Sequence, residues 1–238
     1  MLRQDAAGGA GGDGPMTDAT LNLGWERIWR EQGPRWELQE PQSEVVALVA
    51  RLKAEGKRRV HDLGCGLGRH LLLLAAEEFE ASGSDISPEA VSRCQRRLEE
   101  SGLSATVSRS EMDAIPEEDG CLDCVIAWNV VYHATVEGIL RTLRGVHGKL
   151  KPGGYFFGTF ASTSHSSCDL SRREAEEGLA ERLEADTYIR PHDTEGDKAL
   201  VHHYTTEEEL RERLLAGFEV LSLEHLSSRW LVLARKGM

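Results

Sequence analysis

The run Val60-His61-Asp62-Leu63-Gly64-Cys65-Gly66-Leu67-Gly68-Arg69-His70 constrains this chain more than any other stretch. It reads as a short strand, a glycine-rich turn and a helix that starts at about Gly68. Glycines let such a turn tighten and let its backbone approach a ligand, and the first helical N–H groups have no partner inside the helix. A dinucleotide fingerprint is G-x-G-x-x-G. Here the third glycine comes only two positions after the second, with Asp62 just ahead of the first.

Strands and helices alternate around this run. Val45, Val46, Leu48, Val49 and Leu52 predict one face of a helix between Pro41 and Gly56. After the loop, Leu71 to Ala76 reads as a buried helix segment and Phe79 to Ser84 as a second strand ending at Asp85. Ser87-Pro88 supplies a cap and first turn for a helix running to about Ser101-Gly102. Ala105 to Ser108 and Leu122 to Trp128 are the next strands, Val136 to Leu150 a helix, and Gly154 to Phe160 a fifth strand introduced by Lys151-Pro152-Gly153-Gly154. This alternation predicts an α/β fold, a Rossmann-like doubly wound sheet. Residues 161–203 interrupt it with a Ser-rich stretch, a charged helix candidate from Arg172 to Ala185 and a loop through Arg190-Pro191-His192-Asp193. A helix, Thr206 to Leu215, and two strands, Phe218 to Leu223 and Ser228 to Ala234, then resume the core.

A chain of 238 residues is expected to bury one substantial core, with residues 20–238 as a single domain and 1–19 as a disordered leader rich in small residues. Met16 is an alternative start. With 28 basic and 40 acidic side chains the formal charge is −12, which opposes attraction to nucleic acid or to an anionic membrane, so neither is an expected partner. No secretory segment precedes Gly24 and no apolar run is long enough to span a bilayer, so the expected location is cytoplasmic. The five cysteines, 65, 94, 121, 124 and 168, are irregularly spaced and suit reduced thiols. Cys121-x-x-Cys124 has no second pair, and no metal is expected.

The pattern D-x-G-x-G-x-G resembles motif I of the class I S-adenosylmethionine (SAM) methyltransferases. The resemblance covers roughly residues 41–236 and extends to the Leu150-Lys-Pro-Gly-Gly154 turn. It implies SAM as cofactor, a seven-stranded sheet whose last strand is antiparallel, and a lid inserted after strand five, at about 161–204. Gly64, Cys65, Gly66 and Gly68 would form the cofactor loop. Asp62 would help hold the methionine end. Asp85, seventeen residues after Gly68 and followed by Ile86, suits the two ribose hydroxyls, with a plain helix-capping role as its alternative. Ser110-Glu111-Met112-Asp113-Ala114-Ile115-Pro116 resembles the family's adenine segment G-D-M-x-x-L-P, with Glu111 or Asp113 as the carboxylate and Met112 lining the ring.

Ala127-Trp128-Asn129-Val130-Val131-Tyr132-His133 resembles motif IV of small-molecule methyltransferases. Asn129 would position cofactor or acceptor, and His133 is either the proton acceptor or a structural histidine. Trp25, Trp29 and Trp36 either fold over the cofactor as an N-terminal lid or pack on the sheet. Val201-His202-His203-Tyr204, between Glu195-Gly196 and a run of glutamates, resembles an E-G…P-H-H-F-F-x-x-E-E-L stretch of tellurite-resistance-like and ubiquinone-methylase-like enzymes, with Val201 in place of proline. It marks His202 and His203 as candidate catalytic residues at the acceptor. The expected function is methyl transfer from SAM to a small thiol, amine, hydroxyl or chalcogen oxyanion. A non-catalytic SAM-binding protein is the alternative from another class, and an NAD-dependent oxidoreductase a more distant one. Oligomeric state is left open.

Overall fold

The structure, a computed structural model, describes residues 24–31, 40–189 and 200–238. The expected leader, Met16, Trp36, the loop through 190–193 and Glu195-Gly196 lie outside the described residues. Helix α1 spans 24–31. It is followed by α2 (Ser43–Ala54), β1 (Arg59–Leu63), α3 (Arg69–Ala76), β2 (Glu80–Asp85), α4 (Pro88–Glu100), β3 (Thr106–Arg109), β4 (Leu122–Ala127), α5 (Val136–Lys149) and β5 (Leu150–Ser162). Then come α6 (Ser166–Glu176), β6 (Glu181–Glu184), β7 (Thr187–Ile189), β8 (Val201–Thr205), α7 (Glu207–Glu209) with a π-helical turn (Leu210–Leu214), β9 (Glu219–Leu226) and β10 (Arg229–Arg235).

The central sheet runs β3-β2-β1-β4-β5-β10-β9, with β1 to β5 parallel and β10 antiparallel to both neighbours. Period-two side-chain placement divides its strands between two cores. Val125, Ala127, Phe156, Phe160, Val232 and Ala234 join α5 on one face, while Cys124, Ile126, Phe157, Leu231 and Leu233 join α2, α3 and α4 on the other. Phe156 and Phe160 are fully buried, and truncating either to alanine would cost about 3–5 kcal/mol. The sequence alternation thus describes this sandwich well, including the Ser87 cap, whose hydroxyl accepts from the Ala90 amide at 3.2 Å.

Residues 161–215 depart from expectation. The helix proposed for Arg172 to Ala185 is instead α6, ending at Glu176, because Gly178 takes φ +73° and turns the chain into the β6–β7 hairpin. That hairpin and β8 extend beyond the expected seven strands, giving ten strands among the described residues. β8 joins the last two residues of β5, through Ala161–Tyr204 and Ser162–Thr205. The helix expected over Thr206 to Leu215 is one α-turn followed by a π-turn, which sinks Leu210 and Leu214 into the core. Among the described residues no helix is long and apolar enough to cross a membrane.

Candidate active site

One cavity of about 670 Å³ opens at the carboxyl edge of the parallel strands, where doubly wound sheets hold ligands. Its floor begins at the glycine loop. Gly64, Gly66 and Gly68 have φ values of +64°, +54° and +82°, a left-handed alternation that side chains resist. The loop is tied to β2 by two bonds: the Cys65 amide donates to the Ser84 carbonyl at 2.9 Å, and the Gly66 amide donates to Asp85 Oδ2 at 2.9 Å. Asp85 Oδ1 accepts from the Ser87 amide at 2.9 Å, so one carboxylate joins the loop to the start of α4. Burial outweighs these bonds and lifts Asp85 to about 6.

Asp62 lies beneath the loop, outside the cavity wall, at 2% exposure, and its Oδ2 has no hydrogen-bond partner. Burial raises it to about 7, against the charge of Arg69, which favours ionisation. A buried carboxylate oxygen without a partner is costly, and from behind the wall it favours positive charge at this end of the cavity. His70 stays neutral because burial and Arg69 push it down to about 3; its Nε2 is bonded to Gln42 Oε1 at 2.7 Å.

At the far end of the cavity, Glu111, Met112 and Asp113 form the turn after β3. Asp113 is drawn to Arg141 of α5 at 3.2 Å, leaving Glu111 the more exposed carboxylate. Ile86 lines the wall beside them. Over the loop sits α1. Glu26 accepts from Ser87 Oγ at 2.5 Å and from the Glu89 amide at 3.2 Å, pinning α1 to the N-terminus of α4. The Trp29 ring covers Gly66 so closely that a Cβ there would lie 2.8 Å from it. Trp25 meets His133 edge-on at 4.8 Å.

β4 ends in Asn129, which adopts φ +60°. Its amide donates to Thr159 Oγ1 at 2.8 Å, and its Oδ1 accepts from Thr159 Oγ1 at 3.1 Å and from Arg229 Nη1 at 2.5 Å. With the carboxamide oxygen engaged by two donors, its NH₂ is the end left for a ligand. His133 Nδ1 lies 3.2 Å from the Val201 carbonyl, which can only accept, so Nδ1 carries the proton and Nε2 the lone pair. Burial, reinforced by His202, keeps His133 neutral by pushing its pKa well below 6.5. His202 packs edge-on against His133 at 4.5 Å and lines the cavity with Tyr132.

His203, named beside His202 from the sequence, does not line this cavity. It alternates to the other side of β8, where Nδ1 meets Thr187 Oγ1 at 2.7 Å and Nε2 meets Glu209 Oε2 at 3.2 Å. Gly68 is likewise behind the wall as the cap of α3. Trp25, Trp29, Gly64, Cys65, Gly66, Asp85, Ile86, Glu111, Met112, Asp113, Asn129, His133 and His202 all border the cavity. Sequence reasoning passed over Arg69, Arg141, Arg229 and Glu26. Arg69 follows the last loop glycine directly, whereas Arg229 reaches the site only through the pairing of β10 with β5.

Residues 60–154 match the family model described as a methyltransferase domain. A Bacillus subtilis (strain 168) protein named as the methyltransferase YqeM is 29% identical over 135 residues, which are 56% of this chain and 53% of that protein. The match therefore spans about half the length of that relative. Among solved structures, a SAM-dependent methyltransferase from Methanosarcina mazei superposes with a TM-score of 0.65 at 21% identity, covering 76% of this chain and 93% of that one. Magnesium protoporphyrin IX methyltransferase from Synechocystis PCC 6803 with bound S-adenosylhomocysteine (SAH) gives 0.63 at 19% identity, covering 90% and 98%. Over residues 60–154 the chain is thus similar to methyltransferase domains, and its fold is that of the SAM-dependent methyltransferase structures.

Proposed function

We propose that this chain binds SAM along the cleft and transfers its methyl group to a free small molecule, releasing SAH. The observation that carries this reading is that a single cavity joins the glycine loop and Asp85 to Asn129 and His133. Asp85 would accept the ribose hydroxyls with lone pairs not used by Gly66 and Ser87, and Glu111 the adenine amino group, while Asp62, behind the wall, would act on the methionine ammonium through water. Bound SAM supplies a sulfonium-activated methyl group. The protein's own work is to align the acceptor, exclude water and take one proton.

His133 suits that proton because its neutral Nε2 carries the lone pair, and Asn129 is held by Thr159 and Arg229 to direct its NH₂ into the cleft. Trp25 and Trp29 on α1 would cover the cofactor. A small molecule is favoured over nucleic acid because a net charge of −12 opposes a phosphate backbone. The test is a panel of thiols, amines, phenols, selenite and tellurite scored by SAH release. Turnover of at least one, lost in Asp85→Ala, supports the reading; SAH binding without turnover of any would favour a non-catalytic binding protein.

A further inference from the structure

Arg229 places a positive charge at the transfer end of the cavity in a chain that is strongly acidic. Of the cavity's arginines, Arg141 is paired with Asp113, but Arg229 bonds only to uncharged groups among the described residues, Asn129 Oδ1 and Ser228 Oγ at 3.3 Å. Arg229 stands at the first position of β10, opposite Ala161 near the end of β5, where the hairpin turn places Ser227 and Ser228 on the same wall. Trp230 secures that position by donating from Nε1 to the Thr205 carbonyl at 3.1 Å. Arg69 borders the same cavity from the start of α3; burial lowers its pKa, the charge of Asp62 opposes that, and Arg229 lowers it further by a smaller amount.

A half-buried guanidinium that bonds only to uncharged groups is favoured by an anion, and it binds a carboxylate or oxyanion through parallel N–H donors. On the proposed reading, SAM brings an ammonium, a sulfonium and one carboxylate. Arg69 already feels the charge of Asp62, whereas Arg229 bonds to no anionic group among the described residues. Positive charge remains at the place where the acceptor must enter.

We propose that the methyl acceptor is an anion, carrying a carboxylate or an oxyanion group that Arg229, with Ser227 and Ser228, holds beside Asn129 and His133. This rests on the proposed SAM reading and narrows its acceptor class. Asn129, fixed by Arg229, then couples acceptor capture to the reaction centre.

The test uses the full chain saturated with SAH and titrated by calorimetry with inorganic phosphate, selenite, benzoate and the neutral isostere benzamide. At least one anion should bind about tenfold or more tightly than benzamide, a preference that Arg229→Gln abolishes and Arg229→Lys partly restores, with SAH affinity unchanged within about twofold. Phosphate or selenite binding would mark an oxyanion acceptor, and benzoate binding an organic carboxylate. Equal binding or no binding of all four probes overturns the proposal. So does an Arg229→Gln variant that loses SAH affinity, because Arg229 would then hold the cofactor's carboxylate. Failure of SAH itself to bind wild type would instead overturn the SAM reading.

Discussion

Asp85 Oδ2 accepts the backbone amide of Gly66 at 2.9 Å, bridging nineteen positions of sequence to join the end of β2 to the middle of the glycine loop. The bond makes the loop's shape and the proposed ribose site depend on one carboxylate. Asp85→Ala should weaken SAH binding about 10- to 100-fold, with Asp85→Asn between it and wild type, because a carboxamide has one accepting oxygen instead of two. Calorimetry on the three proteins checks the order, and full SAH affinity in the alanine variant contradicts the assignment.

Asp62 gives a pH signature. Burial raises it to about 7 from an ordinary 3.8, so the folded state holds this proton more tightly than the unfolded chain. The cost of ionisation is therefore absent below about pH 4, grows as pH rises and is complete above about pH 7. Ligand-free Asp62→Asn should melt higher than wild type at pH 8 and lose that advantage towards pH 5. Melting curves showing no pH-dependent difference between the two proteins would refute this.

Ligand binding should reverse the same equilibrium. An ammonium acting on Asp62 through water favours the charged carboxylate, so SAH binding at pH 6.5 should release protons, measurable as a buffer-dependent heat. Asp85, raised to about 6, adds to the release in the same direction. Asp62→Asn should reduce the release and weaken binding; proton uptake on binding would contradict the assigned ammonium site.

His133→Gln should lower kcat about 100-fold or more with SAH affinity unchanged, given the usual contribution of a positioned base. Because burial keeps His133 neutral, wild-type kcat should hold steady down through pH 6.5. Steady-state rates across pH distinguish this from packing alone, in which SAH affinity or melting temperature would fall together with kcat.

Glu26→Ala should detach α1 from α4, since it removes the acceptor of both the Ser87 hydroxyl and the Glu89 amide. The expected result is SAH binding weakened about 3- to 10-fold with the melting transition of the sheet nearly unchanged. Equal SAH affinity would mean that α1 packs on the sheet without closing the site.

The parts of this architecture visible in the sequence are those governed by local rules. Gly64, Gly66 and Gly68 announce positive φ, Ser87-Pro88 announces a helix start, and the apolar runs of β1, β4 and β5 announce burial on both faces. The segment after β5 obeys longer-range terms. Charge spacing in Arg172 to Ala185 suggested a helix, yet Gly178 and the pairing of β7 with β8 make a hairpin. Adjacent His202 and His203 look equivalent in the sequence, and only the register of β8 turns one to the cavity and the other to Thr187. Arg229 carries no local signal at all, because its place beside Asn129 follows from β10 returning antiparallel along β5.

The most direct test of the account is calorimetric titration of the wild-type chain with SAM, SAH and NAD. Binding of SAM and SAH at one site, with Kd on the order of micromolar and no heat from NAD, is the predicted result. Absence of SAM and SAH binding up to millimolar concentration, or binding of NAD in their place, would contradict it.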